Sequence, residues 1–176
     1  MSILKTPVSD KDHWQGNANA IVELVEYGDY ECPYCGSAYP IIKDIQRLMG
    51  DDLKFVFRNF PLSSIHPHAR SAAQAAEASG LQDKFWEMHD IIFEHQQELE
   101  PPDLFAYAAS IGLDVKKFRK DVQLDYLLEK IDADLESGVR SGVNGTPSFF
   151  IRGKKWEGNW EDRDTFLQYL RAQKGK

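Results

Sequence analysis

The sequence of 176 residues predicts an α/β domain whose two halves are separated by a large all-helical insertion. The first observation is a β-α-β succession at about residues 20–61. The second is residues 62–141, which carry helical patterns and no strand signal. The third is a β-β-α succession over residues 142–173. We therefore predict a single domain over residues 1–176, in which the first and third segments form the core.

Composition and charge place the chain among folded proteins and narrow its possible ligands. Hydrophobic residues make up 42% of the chain and charged residues 28%, which is typical of a globular domain. The net charge of -7 leaves no basic stripe to neutralise phosphates, so nucleic acid is not expected as a partner. No run of 18 apolar residues is present, so we expect no insertion into a membrane.

The N-terminal segment, residues 1–19, is polar and interpreted as a lead-in arm with Trp14 as its main anchor. Its first residues have neither the apolar region nor the small-residue cleavage site of a secretory signal. We therefore expect a cytoplasmic protein, or a periplasmic one if the sequence is a trimmed mature form. A monomer is expected.

The first half reads as strand, helix and strand. Residues 21–27 are apolar on both strand faces, which is expected of a central strand covered on two sides. A helix begins near Pro33, because a proline in the first turn loses no hydrogen bond, and it ends at Gly50. Residues 53–60 form the next strand. Such a β-α-β unit is expected to be parallel and right-handed.

Four or five helices are predicted for the middle of the chain, and Pro101 and Pro102 separate two of them. The helical candidates are residues 69–79, 81–97, 104–111, 115–122 and 124–138. The second half then begins with a turn that contains Thr146 and Pro147. A hairpin of residues 148–152 and 155–157 follows it, and then a helix over residues 162–173.

Both cysteines of the chain, Cys32 and Cys35, lie where the first helix begins. A chain of this size needs no structural disulfide, and a bridge that closes so short a loop would stabilise the fold little. A zinc site would need two further ligands. His66 and His68 could supply them, but nothing in the sequence around them indicates a metal site. A redox pair is the interpretation that explains both the spacing and the position.

The helix start predicts different roles for the two sulfurs. Free amide groups and the positive end of the helix dipole face Cys32, and both favour its thiolate, which is the attacking species. We therefore assign Cys32 as the nucleophile and Cys35 as the resolving thiol, which releases the partner from a mixed disulfide.

The element order, the residues 27–35 around the cysteines, and the later Thr146 and Pro147 together resemble the DsbA-like branch of the thioredoxin fold. The resemblance covers residues 21–170. It implies that Pro147 is a cis-proline opposite the cysteines, and that the Thr146 backbone binds an extended substrate. An ordinary trans turn is the alternative that the residues alone leave open.

The resemblance also gives a role to Glu26, which lies six residues before Cys32. In thioredoxin-like proteins an acid at this offset lies beneath the disulfide and helps to move protons. Burial would raise the pKa of such a carboxyl group and let it accept the proton of Cys35. The alternative is a glutamate at the edge of the strand that faces water.

The two residues between the cysteines, Pro33 and Tyr34, are expected to tune the pair and to contact substrate. DsbA-like oxidants often have a histidine where Tyr34 stands, and Cys-Pro-Tyr-Cys is also typical of glutaredoxins. Because tyrosine is neutral at pH 7, we expect the pKa of Cys32 to be lowered less than in the strong oxidants. The redox potential should then be intermediate.

The function expected from these features is disulfide exchange with protein or peptide thiols, without a cofactor or metal. Its direction stays open, although a cytoplasmic location would favour reduction or isomerisation over oxidation. A glutathione-dependent enzyme similar to glutaredoxin is one alternative. A peptide-binding or chaperone module regulated by its cysteines is another.

Overall fold

A computed structural model describes residues 2–175 of the chain. The strands in this part are β1 (His13–Gly16), β2 (Val22–Gly28), β3 (Leu53–Asn59), β4 (Ser148–Ile151) and β5 (Lys154–Trp156). They form one sheet in the order β1-β3-β2-β4-β5, in which only β2 and β3 are parallel neighbours. Strand β2, which leads into the cysteines, is therefore the central strand.

The helices surround this sheet and account for the middle of the chain. In order, they are α1 (Pro33–Met49), α2 (Ala69–Gly80), α3 (Phe85–Glu94), α4 (Pro101–Ser110), α5 (Val115–Asp121), α6 (Asp125–Arg140) and α7 (Arg163–Ala172). Helix α1 joins the parallel strands, and α2 to α6 lie between β3 and β4 without a strand among them. The predicted α/β fold with a large all-helical insertion is confirmed.

Strand β2 is covered on both of its faces, as its sequence predicts. Leu24 belongs to the main apolar core, whereas its neighbour Val25 belongs to a smaller core on the other side of the sheet. Both side chains are fully buried. Because successive side chains of a strand point to opposite faces, a run that is apolar on both faces requires cover on both sides.

The lead-in arm contains a strand that the sequence analysis does not predict. Residues 13–16 form the edge strand β1, antiparallel to β3, with His13 opposite Phe57 and Gly16 opposite Lys54. Trp14 is the only large apolar residue of this strand, so the alternation that identifies strands is missing. The extended conformation of β1 is set by its pairing with the backbone N–H and C=O groups at the edge of β3.

Two boundaries in the insertion also differ from the prediction. Helix α3 is shorter than residues 81–97, because Asp83 adopts a positive φ of 58° before it and the chain turns after Glu94. Pro101 begins helix α4 rather than breaking a helix, since a first-turn proline needs no hydrogen bond. The side chains of Glu100 and Asp103 complete this start by reciprocal capping.

A buried ion pair ties the N-terminal arm to the sheet. The side chain of Arg58 is 2% exposed, and its Nε and Nη2 donate to the two carboxylate oxygens of Asp12 at 2.7 and 3.0 Å. The same guanidinium donates to the hydroxyl of Tyr27 and to the carbonyls of Thr6 and Pro7. The arm therefore supplies most of the partners of a cation that the core encloses.

We expect the substitution Asp12→Ala to lower the free energy of unfolding by about 3–5 kcal/mol, because it leaves the Arg58 guanidinium buried without its counter-ion. Urea denaturation measures this loss. Asp10→Ala is the control, since Asp10 is exposed and nearby, and it should change stability by less than about 0.5 kcal/mol. Equal effects of the two substitutions would contradict the structural role of the pair.

Candidate active site

Cys32 occupies the N-cap position of α1, directly before Pro33 at the first helical residue. Its backbone is extended, with φ of -70° and ψ of 122°, and its carbonyl accepts the Gly36 N–H at 3.1 Å. Cys35 lies one turn further along the helix and is fully buried. Both cysteines are free thiols in this structure. Cys32, at the end of the helix, is 4% exposed and is thus the more accessible of the two residues.

The surroundings of Cys32 favour its thiolate. Its pKa is lowered to about 5, chiefly by the hydrogen bond from the Cys35 thiol and against the opposing effect of burial. Hydrogen bonds from the backbone N–H groups of Tyr34 and Cys35 lower it further. In its protonated form, the Cys32 thiol donates to the carbonyl of Thr146, with sulfur and oxygen 3.4 Å apart.

The surroundings of Cys35 have the opposite effect. Burial raises its pKa well above the ordinary value, and the hydrogen bond to Cys32 and the charge of Glu26 raise it further. The backbone N–H of Asp29 donates to its sulfur at 3.4 Å and is the one favourable contact for the anion among these causes. At neutral pH the pair therefore holds one thiolate and one thiol.

Glu26 lies on β2 and is 3% exposed, so the alternative of a water-facing glutamate is wrong. Burial, and next the charge of Cys32, raise its pKa from 4.5 to about 8. The carboxyl group is therefore mostly protonated at neutral pH. The structure brings Glu26 close enough to both cysteines for their charges to interact, whereas a catalytic role for it stays a prediction.

The turn before β4 faces Cys32 from the other side. The peptide bond between Thr146 and Pro147 is cis, so the trans alternative is wrong. The Ser148 hydroxyl donates to the Gly145 carbonyl at 2.7 Å and fixes the turn. The hydroxyl oxygen of Thr146 is buried and has no hydrogen-bond partner within residues 2–175.

Two cavities flank the cysteines. One, of about 270 Å³, is lined by Tyr34, Thr146, Pro147, Gly158, Asn159, Trp160 and Glu161. The other, of about 340 Å³, is lined by Glu31, Pro33, His66, His68, Gln96, Gln97, Leu99 and Glu100. The predicted substrate-binding residues therefore divide between the two, with Tyr34 and Thr146 in the first and Pro33 in the second. Tyr34 is 62% exposed.

Asp29 is a residue of this site that the sequence did not single out. Its side chain is fully buried and accepts hydrogen bonds from the backbone N–H groups of Glu31 and Leu62 and from His66 Nδ1, each at 2.8 Å. These contacts hold the loop between β2 and α1 against the start of the insertion. The only sequence signal was an aspartate directly after the glycine that ends β2.

The two histidines considered as zinc ligands pair with carboxylates instead. His66 contacts Asp29, and His68 contacts both Glu31 and Glu100. Within residues 2–175, no cluster of three or more histidine, cysteine and acidic side chains is arranged to hold a metal ion. Over the same range, no helix has the length and apolar character needed to cross a membrane.

The fold matches a known family and several solved structures. The family described as thioredoxin matches residues 8–170. BdbD from Bacillus subtilis, in its oxidised form, has a TM-score of 0.86 at 24% identity, with 99% of both chains covered. A thioredoxin-like oxidoreductase from Silicibacter pomeroyi DSS-3 has a TM-score of 0.83 at 25% identity, with 94% of each chain covered. The thiol-disulfide exchange protein α-DsbA2 from Wolbachia pipientis has a TM-score of 0.83 at 22% identity, with 93% of this chain and 88% of that chain covered.

Curated relatives match the chain more closely in sequence but are much longer. Na(+)/H(+) antiporter NhaA 1 of Mycolicibacterium vanbaalenii is 40% identical over 174 residues, which are 98% of this chain and 28% of the relative. The protein of the same name in Salinispora arenicola is 43% identical over 160 residues, or 89% of this chain and 24% of the relative. The chain thus spans about a quarter of the length of the curated relatives that it matches. The predicted thioredoxin-like fold with a helical insertion is confirmed by the family match and the solved structures.

Proposed function

The chain belongs to the thioredoxin family, and from this premise we propose that it is a thiol–disulfide oxidoreductase that exchanges disulfides with protein or peptide thiols. The observation that carries the proposal is the opposite perturbation of its two sulfurs. The pKa of Cys32 is lowered to about 5, whereas that of Cys35 is raised well above its ordinary value. An attacking thiolate and a protonated resolving thiol thus coexist at neutral pH.

The proposed reaction has two steps. The Cys32 thiolate attacks a substrate disulfide, so that one substrate sulfur joins Cys32 in a mixed disulfide and the other leaves as a thiolate, which takes a proton from water. Cys35 then loses its proton and attacks the sulfur of Cys32, which releases the second substrate thiol. The substrate gains two electrons, and the enzyme is left with a Cys32–Cys35 disulfide. Oxidation of a substrate dithiol is the reverse sequence.

In this scheme Glu26 is the acceptor for the proton of Cys35. The charge of the Cys32 thiolate is one of the two causes that raise the pKa of Glu26. That charge disappears when Cys32 enters the mixed disulfide, so the pKa of Glu26 falls at the moment when Cys35 must be deprotonated. A larger fraction of Glu26 therefore loses its proton to water after the first step, and this ionised fraction is able to accept the proton of Cys35.

The turn with cis-Pro147 is the proposed binding site for the substrate backbone. Thr146 directs its carbonyl at Cys32 and lines the same cavity as Tyr34. Its buried hydroxyl has no hydrogen-bond partner among the residues that the structure describes. An extended peptide that adds its own backbone hydrogen bonds at Thr146 would hold its cysteine against Cys32. Pro33 and Tyr34 would contact the same peptide from the start of α1.

The test of this function is the equilibrium of the cysteine pair with glutathione buffers, followed by alkylation of the free thiols. The pKa of Cys32, about 5, lies between about 3.5 for the strong oxidant DsbA and about 7 for thioredoxin. We therefore expect a reduction potential of about -180 to -230 mV. A value near that of DsbA would contradict the intermediate potential, and no reversible oxidation at all would contradict the function.

A second candidate concerns the physiological partner. Because the chain resembles a part of proteins named Na(+)/H(+) antiporters, we propose that such an antiporter, in the same polypeptide or a separate one, presents thiols to Cys32. A cytoplasmic location stays a proposal, and there the pair would be kept mostly reduced. Reduction or isomerisation would then be the direction of exchange.

A further inference from the structure

Gln96 connects the helical insertion to the cysteine loop. It lies in the turn after α3, and its side-chain Nε2 donates to the carbonyls of Tyr30 and Cys32, each at 2.8 Å. A glutamine amide has two N–H hydrogens, so both are used here. Because both partners are acceptors, they also determine which end of the amide faces the loop. The contact spans 64 positions of the sequence between Cys32 and Gln96.

The other end of the same amide lies against Gly36, the residue that follows Cys35. A Cβ atom at Gly36 would lie 2.0 Å from Gln96 Oε1, and the three nearest atoms to it all belong to Gln96. No side chain fits at position 36 unless Gln96 moves away. The amide thus touches the first turn of α1 at its start, through Cys32, and one turn later, through Gly36.

The N-cap position of α1 is occupied by Cys32 rather than by a serine, threonine or aspartate. The first turn also contains no acidic residue. Such a helix end is ordinarily fixed by a serine, threonine or aspartate at the N-cap. Here a residue of the insertion supplies hydrogen bonds to the carbonyls of this loop from outside the helix.

We propose that Gln96 is a positioning residue through which the helical insertion holds the first turn of α1 and thereby sets the reactivity of Cys32. This inference rests on the proposed function and deepens it. The Cys32 thiolate depends on the N–H groups of Tyr34 and Cys35, whose directions follow the geometry of this turn. The N–H ends of the Gln96 amide also place positive partial charge beside Cys32.

The test compares the substitution Gln96→Ala with the original protein by two measurements on the reduced pair. Ultraviolet absorbance of the thiolate against pH gives the pKa of Cys32, and equilibration with glutathione gives the disulfide equilibrium constant. Since one net hydrogen bond corresponds to at most about a tenfold change, we expect the pKa to rise by up to about one unit. The disulfide becomes more stable by up to about tenfold, or about 30 mV towards the reducing end.

The neighbouring glycine provides a second, independent variant. Gly36→Ala introduces the Cβ that displaces Gln96, so in the original protein it should shift both measurements in the same direction as Gln96→Ala. In the Gln96→Ala background it should add little, because the group that it displaces is gone. Gln97→Ala is the matched control, since Gln97 is the exposed neighbour that lines the same cavity, and it should leave both measurements unchanged.

Three outcomes would overturn the inference. These are an unchanged thiolate pKa in Gln96→Ala, a loss of thermal stability without a shift of either measurement, or fully additive effects of the two substitutions. If Gln96→Ala does not fold, Gly36→Ala alone must still shift the pKa for the inference to hold. A failure of the proposed function looks different, because the original protein itself would then show no reversible oxidation.

Discussion

Cys32→Ser is expected to abolish disulfide exchange, whereas Cys35→Ser is expected to stop the reaction after the first attack. A serine hydroxyl stays protonated far above neutral pH, so the loss in Cys32→Ser should be at least about 1000-fold. Cys35→Ser keeps the attacking thiolate but removes the thiol that releases the partner. The rate of turnover of a peptide disulfide measures the effect of Cys32→Ser. Accumulation of a mixed disulfide on a non-reducing gel measures the effect of Cys35→Ser.

The same pair of cysteines gives the pH dependence of the first step. The pKa of Cys32 is lowered to about 5, so the thiolate fraction rises with pH through that value and is complete by neutral pH. The rate at which Cys32 reacts with iodoacetamide should therefore level off above pH about 6, rather than continue to rise towards about 8.5 as for a free cysteine. Cys35→Ala, which removes the main hydrogen-bond donor to Cys32, should move this midpoint upward more than Cys35→Ser does.

The trapped species also separates the alternatives for function. Identification of the proteins held by Cys35→Ser in cells would support the antiporter candidate if a cysteine of a Na(+)/H(+) antiporter is among them. Exclusive recovery of unrelated proteins would argue against it. If Cys35→Ser still reduces glutathione mixed disulfides at the original rate, the glutaredoxin-like alternative is favoured. If the double serine variant still suppresses client aggregation fully, the chaperone alternative is favoured.

Glu26→Gln is expected to slow release of the substrate by about 100-fold, the lower end of what general acid–base catalysis contributes. The first attack should change little, because Glu26 is mostly neutral at neutral pH and glutamine has the same shape. Rapid mixing that resolves formation and decay of the mixed disulfide measures the two steps separately. The deficit should shrink at high pH, where hydroxide can remove the proton of Cys35.

Glu23→Gln is the matched control for this experiment. Glu23 lies on the same strand but pairs with Lys54 at 3.6 Å and is partly exposed, so its substitution should leave both steps unchanged. An unchanged release rate in Glu26→Gln would remove Glu26 from the mechanism. Equal slowing of both steps would indicate a disturbed site rather than a lost proton acceptor.

The raised pKa of Glu26 should also make the stability of the fold depend on pH. The pKa of Glu26 is raised from 4.5 to about 8, so the folded protein binds this proton more tightly than the unfolded chain does. The stability of the original protein therefore falls as pH rises between these two values, and the loss is complete above about 8. Glu26→Gln removes this loss, so its free energy of unfolding should exceed that of the original protein increasingly over this range. A buried carboxyl group that costs stability in this way fits a functional residue.

The sequence by itself determined the features that depend on local patterns. The β-α-β start, the all-helical middle and the cysteines at a helix start follow from hydrophobic periodicity and from the position of Pro33, which are properties of neighbouring residues. The preference for Cys32 as the nucleophile has the same local origin, since the free amides of a helix start lie within one turn of it. The division between core and insertion at about residues 61 and 141 stays a prediction of this kind.

The tertiary structure decided what depends on residues far apart in the chain. Strand β1 forms because it pairs with the edge of β3. Asp29 forms a hydrogen bond with His66, and Gln96 donates one to Cys32, 64 positions away in the sequence. Hydrogen bonds between such distant groups leave no period in the sequence, so pattern analysis cannot find them. The extent of burial that raises the pKa of Glu26, and the cis turn that brings Thr146 against Cys32, likewise appear only when the elements pack. The sequence thus identifies the two candidate sulfurs, and the packing around them sets the opposite directions in which their pKa values are shifted.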